Sequence, residues 1–143
     1  QSLIEALSLP ILRVWDGVIA VPLIGPLDEA RAADTLERLL DVVVASSARH
    51  VIIDLTGLMS ANANSAAYLV TMIRTLGLVG SRCVLAGIRP ALSTMFVEHE
   101  LPLGGAECFS TQAEALAAVL GRLGWSVCRT PSRTGAKPGR SRL

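Results

Sequence analysis

The patterned part of the chain opens with two short apolar runs, ILRVW and VIAVPLIG, separated by Asp16-Gly17. Asp-Gly between β-rich runs predicts a hairpin, because a tight primed turn needs positive φ. After Gly25-Pro26, the positions Ala32, Leu36, Leu39, Leu40 and Val43 recur at helical spacing, with acids near the start. That pattern predicts a helix. VIIDL at 51–55 is a continuous apolar run of strand length, as expected of a strand covered on both faces. From about Asn62 to Leu78 the positions Ala66, Leu69, Val70 and Ile73 repeat at three or four, which predicts a second helix ending at Gly80. CVLAGI at 83–88 reads as another buried strand. ALSTMFVEHE after Pro90 reads as a short helix, since proline suits a first turn. AECFS at 106–110 is a short strand. TQAE then places Thr111 and Glu114 at capping-box spacing, opening a last helix that stops near Gly124.

The order is ββαβαβαβα. Alternating strands and helices imply an α/β class with mostly parallel pairing and right-handed crossovers. The opening hairpin supplies one antiparallel pair at the edge, and about four helices cover the sheet. In open sheets of this kind, function collects at the carboxyl ends of the strands. Here that edge comprises DLTGLMSANANS, GIRP and the turn after Leu23-Ile24-Gly25.

Composition narrows the classes. The 143 residues are 51% hydrophobic but only 3% aromatic, so the apolar mass is aliphatic and stacking platforms for bases or sugars are scarce. The chain can bury a full core, and no period or cysteine density points to a fibrous or disulfide-scaffold class. No apolar run reaches the ~18 residues of a membrane span. The net charge of +1 hides a split. Eight basic residues against twelve acidic ones give residues 1–124 a charge of −4, and the five remaining basic residues follow with no acid. Residues 10–124 are therefore read as the folded domain and 125–143 as a disordered basic tail. QSLIEALSL, residues 1–9, lacks the order of a signal peptide and is read as the end of an upstream linker helix. Cys83, Cys108 and Cys128 lack metal-ligand spacing. The default for Cys83 and Cys108, in apolar runs, is buried thiols in a reducing compartment.

Catalytic patterns are missing. There is no P-loop, nucleophile elbow, HExxH or cysteine-pair zinc motif, and Gly25 stands alone where a dinucleotide fold needs a glycine-rich turn. His50 and His99 lie far apart and are expected to be solvated. Asp54 at a strand end resembles a receiver phospho-acceptor, but no acidic pair follows the first strand to hold Mg²⁺. The informative stretch is 54–67. Asp54-Leu55-Thr56-Gly57 suits a turn in which Asp and Thr side chains bond nearby amides, and SANANSAA puts small polar residues at a helix start. Such residues cap the helix, and its positive dipole end suits a phosphate on Ser or Thr. Plain capping by Asn62 or Asn64 explains the same residues.

LSLPILRVWDGVIAVPLIGPLDEARA, IIDLTGL and RTLGLVGSRCVLAGIRP, in that order and spacing, resemble the STAS domain of sulfate transporters and anti-sigma-factor antagonists. The RsbR/RsbS-type proteins of the bacterial stressosome are the nearer match. The resemblance runs from Glu5 to about Val119. It implies a STAS-like fold and a cytoplasmic, non-enzymatic protein-interaction domain. The implied partners are other STAS-domain proteins and a serine/threonine switch kinase or anti-sigma factor. No cofactor, metal, nucleic acid or membrane is expected. The family is regulated through a Ser or Thr that follows an Asp at the start of the second helix. Here Asn62-Ala63 holds that place, and alanine has no hydroxyl to phosphorylate. Ser60 and Ser65 flank it. A second family acceptor falls in the short helix after Arg89 and Pro90, with Thr94 the nearest hydroxyl and Met95 the other match. The alternative is a STAS-like domain that binds a small anion or nucleotide, with Arg89 at a strand end as anchor.

Overall fold

The computed structural model describes residues 10–59 and 61–125. The stretches read as linker helix (1–9) and as basic tail beyond Trp125, together with Ser60 and Cys128, lie outside the described residues. The elements run β1 (Leu12–Trp15), β2 (Val18–Pro22), α1 (Glu29–Ser46), β3 (His50–Asp54), α2 (Ala63–Leu78), β4 (Arg82–Ala86), α3 (Pro90–Glu98), β5 (Glu107–Phe109) and α4 (Gln112–Arg122). One sheet has the order β1-β2-β3-β4-β5. β1 pairs antiparallel with β2 and every later pair is parallel. The expected mixed architecture is what forms.

Local chemistry sets the boundaries. Asp28 caps α1 by accepting from the Arg31 amide at 2.8 Å, and Ser47 ends it in the left-handed region at φ 55°. Asn62 caps α2 and Pro90 is the first residue of α3. Thr111 caps α4 by accepting from the Glu114 amide at 3.1 Å. The Glu114 carboxylate answers to the Ser110 amide at 3.2 Å, one residue earlier than the capping box predicts. In the hairpin, Gly17 carries positive φ (77°) and Asp16 does not; an irregularity between Arg13 and Trp15 takes up the mismatch.

The register explains the unbroken apolar strands. Ile19, Val51 and Cys83 lie side by side, as do Val21, Ile53 and Leu85, and these face the core beneath α1, α2 and α3. The alternate residues Val18, Ala20, Ile52, Val84 and Ala86 face the other side, where Ala115 and Val119 of α4 meet them. Both faces are covered, so both sets must be apolar.

Two side chains depart from expectation. His50 is buried, not solvated, because it begins a central strand between Val18 and Arg82. Its Nδ1 has no hydrogen-bond partner among the described residues, and burial, with the charges of Arg122, Arg82 and Arg49, holds its pKa below 6.5. Cys108 is exposed, not buried, because β5 is a three-residue edge strand. Cys83 is buried as expected, and burial pushes its thiol up to about 12.

Candidate functional site

The carboxyl ends of β2, β3 and β4 are joined by a continuous set of main-chain bonds. The Leu23 amide donates to the Asp54 carbonyl at 2.9 Å, the Gly25 amide to Gly57 at 2.9 Å, and the Met59 amide back to Gly25 at 2.9 Å. The Leu55 amide donates to Ala86 at 2.8 Å, and Gly25 and Leu58 form a parallel bridge. The loop after β3 therefore extends the sheet past its named strands and is held in place by both neighbours.

Side chains complete the arrangement. Asp54 Oδ1 accepts from the Thr56 amide at 3.0 Å and from Thr56 Oγ1 at 2.7 Å. The predicted Asx-type turn is present; the Thr56 hydroxyl, however, goes to the carboxylate rather than to an amide. Arg89 Nη2 donates to the Thr56 carbonyl at 2.8 Å, which ties GIRP to the loop across 33 residues of sequence. Arg31 Nη1 donates to the carbonyls of Pro26 and Ile24 and holds the β2–α1 turn. Gly57 lies against Ile24: a Cβ there would stand 3.2 Å from Ile24 Cγ1. Gly87, at φ 71°, lies against Thr56 and Asp54, and a Cβ there would collide with Thr56 Oγ1.

Asn62 Oδ1 accepts from the Ser65 amide at 2.8 Å and from Ser65 Oγ at 3.0 Å. Ser65 is fully buried, Ala63 is partly exposed and Asn62 is exposed. The capping reading accounts for both polar partners. Thr94 is exposed, with its hydroxyl donating to the Pro90 carbonyl at 2.8 Å, whereas Met95 packs against the larger core. Thr56, Arg89 and Pro90 are exposed, and Asp54 and Gly57 are partly so. Asp54, Thr56, Gly57 and Arg89 are thus one hydrogen-bonded unit, and Asn62, Ala63 and Ser65 form the adjoining helix start. Thr94 and Met95 sit further along α3 on different sides.

Three contributors were not singled out in the sequence. Ile24 and Met59 are 54% and 76% exposed on neighbouring loops. Both fall in stretches the sequence assigned to the carboxyl edge, and only the turn geometry shows that their side chains stand outside. Gly87 was read simply as part of a strand run; its positive φ is visible only in the fold. Among the described residues, no group of His, Cys, Asp and Glu could hold a metal ion. No described helix is long and apolar enough to cross a membrane.

Comparison with known proteins gives this geometry a setting. The STAS-domain family model matches residues 10–115. The RsbT co-antagonist protein RsbRA of Bacillus subtilis (strain 168) is 34% identical over 100 residues, covering 70% of this chain and 36% of that protein. RsbRC of the same organism, also an RsbT co-antagonist, is 32% identical over 120 residues, 84% of this chain and 43% of that protein. The chain spans about two fifths of the length of these relatives. Among solved structures, a Moorella thermoacetica RsbS variant superposes with a TM-score of 0.70 at 25% identity, covering 82% of this chain and 98% of the other.

Proposed function

This chain belongs to the STAS-domain family, and from that premise we propose that it is a non-enzymatic, cytoplasmic interaction module of RsbR type. Its partners are other STAS-domain proteins and a switch kinase or anti-sigma factor, in keeping with the co-antagonist names of its relatives. The carboxyl edge is the docking surface. Two neighbouring loops, one carrying exposed Ile24 and the other exposed Met59, lie beside a helix start whose charge decides which partner it accepts.

The observation that carries this reading is the state of the hydroxyls at the start of α2. Ala63 has none, and that of Ser65 is buried and donates to Asn62. A phosphate would bring about −1.5 to −2 charges to this point. Without an acceptor, the surface keeps its unphosphorylated charge and binds constitutively. The reading of Arg89 as an anion anchor is weakened, because its guanidinium donates to the Thr56 carbonyl.

The test is a phosphotransfer and co-elution experiment with an RsbT-type kinase and an RsbS-type partner. The expected result is no phosphate on residues 56–65, co-elution with the partner whether or not ATP is present, and gain of one phosphate in Asn62→Asp/Ala63→Ser. Stoichiometric phosphate on Ser60 or Ser65, or failure to co-elute, overturns the reading.

A further inference from the structure

Every Lys or Arg position among the described residues is an arginine. Arg31 and Arg89 donate to loop carbonyls, Arg38 pairs with Asp34, and Arg122 pairs with Glu107. The guanidiniums of Arg49 and Arg82 have no such partner among the described residues, and both side chains are exposed. These two arginines stand at the starts of neighbouring central strands. The Arg82 amide donates to the Arg49 carbonyl at 2.8 Å, and Arg82 lies beside His50 in the parallel register of β3 and β4.

Alternation along the strands sets Val18, His50 and Arg82 in one row, on the face of the sheet that α4 covers. Trp15 continues the row beyond Val18 and meets Trp125 edge to face, with ring centroids 5.3 Å apart. Toward the other side of the sheet Arg122, the last residue of α4, is tied to Glu107, the first residue of β5. The end of α4 therefore lies by the His50–Arg82 part of the row. His50 is only 8% exposed, and its Nδ1 has no partner among the described residues. Burial first, and then Arg122, Arg82 and Arg49, disfavour its charged form. Of the acids at this end, Glu107 is taken by Arg122 and Asp16 lies in the hairpin turn. Three guanidiniums against one paired carboxylate leave positive charge at the ring uncompensated.

We propose that this amino edge of the sheet is a binding site for a phosphate-type oxyanion, held by the Arg82 guanidinium with Arg49 and Arg122 beside it and His50 as its floor. The donors select the ligand. A guanidinium presents its N–H groups in a fixed fork that matches the oxygens of phosphate, which a lysine ammonium does not. A doubly charged oxyanion balances Arg49 and Arg82, the two guanidiniums here that lack a carboxylate, whereas a single carboxylate leaves one of them over. The bound charge also offsets the field on His50, so the complex protonates the imidazole more readily than the free protein does. The site lies at the end of the sheet opposite Asp54, Thr56 and Arg89. It goes beyond the proposed function and does not rest on it.

The chain has two histidines, and His99 is exposed just past α3, which packs on the other face of the sheet. Histidine Cε1–H nuclear magnetic resonance of the full chain therefore reads the site against an internal reference. The test titrates inorganic phosphate at constant ionic strength, with chloride as the balancing anion. The expected result is a saturable shift of the His50 signal and a His50 titration midpoint higher in phosphate than in chloride. Arg82→Gln is expected to weaken phosphate binding at least about tenfold, the loss of one hydrogen bond between charged groups, with unchanged far-ultraviolet circular dichroism. Arg82→Lys, which keeps the charge but not the fork, is expected to fall between. Arg89→Gln, at the opposite end of the sheet, should leave binding unaltered. A His50 signal that responds to phosphate no more than to chloride overturns the proposal. So does equal affinity in Arg82→Gln, or a loss confined to Arg89→Gln, which assigns the anion to the carboxyl edge.

Discussion

The two ends of the sheet handle their polar groups in opposite ways. At the carboxyl end, Asp54, Thr56, Arg89, Arg31, Asn62 and Ser65 each have an identified partner, and three loops are joined by main-chain bonds. At the amino end, His50 Nδ1 and Ser81 Oγ are buried with no partner among the described residues. Three arginines press on His50 there. A buried polar atom is tolerable when bonded and costs about 1–3 kcal/mol when it is not. The carboxyl end is thus organised to hold a fixed shape, whereas the amino end retains groups that weaken it.

The largest test of this contrast is Gly87→Ala. It places a side chain at φ 71° and into Thr56, so a loss of roughly 2–4 kcal/mol is expected in chemical denaturation. A loss under about 0.5 kcal/mol would mean the carboxyl loops are pliable. Next is Asn62→Ala. It removes the cap of α2 and leaves the buried Ser65 hydroxyl unpaired, an expected cost of about 1–3 kcal/mol by the same measurement. The matching change at the other end, Ser81→Ala, deletes a hydroxyl that has no partner among the described residues. It should be neutral or stabilise by up to about 1 kcal/mol. If Ser81→Ala costs as much as Asn62→Ala, the contrast is broken.

The smallest effect is that of pH. The folded state holds the His50 pKa below 6.5, so the unfolded chain takes up its proton first as pH falls. The contribution of neutral His50 is complete above pH 6.5 and is lost as pH drops from there toward the folded value. Melting temperature should decline over that window, and His50→Gln should flatten the decline. A profile identical in the variant would place the titration elsewhere.

The legible part of the molecule was what repeats. Leu69, Val70 and Ile73 recur at helical spacing and Val51, Ile52 and Ile53 run without a polar break, and each lies in the core as read. Two caps were legible too, because Asn62 and Thr111 act on amides three residues away, whereas the Asp28 cap of α1 was not read from the sequence. The candidate site was half legible. Asp54, Thr56 and Gly57 are neighbours in the chain, but Arg89 reaches Thr56 only because parallel strands β3 and β4 end at the same level. His50 and Cys108 were misread for one reason. Both have strand-edge sequences, and burial depends on whether a strand is central or at the rim, which is a property of strand order.

Sequence alone determined the order of elements, the apolar character of both sheet faces, and the absence of a hydroxyl at Ala63. Those follow from local propensity, from two-residue and 3.6-residue periods, and from covalent identity. Tertiary structure decided that the Ser65 hydroxyl is closed off, that Ile24 and Met59 stand outside, and that Trp15 meets Trp125 across 110 residues. Each of these is a contact between distant segments, and burial is set by what the rest of the chain brings alongside.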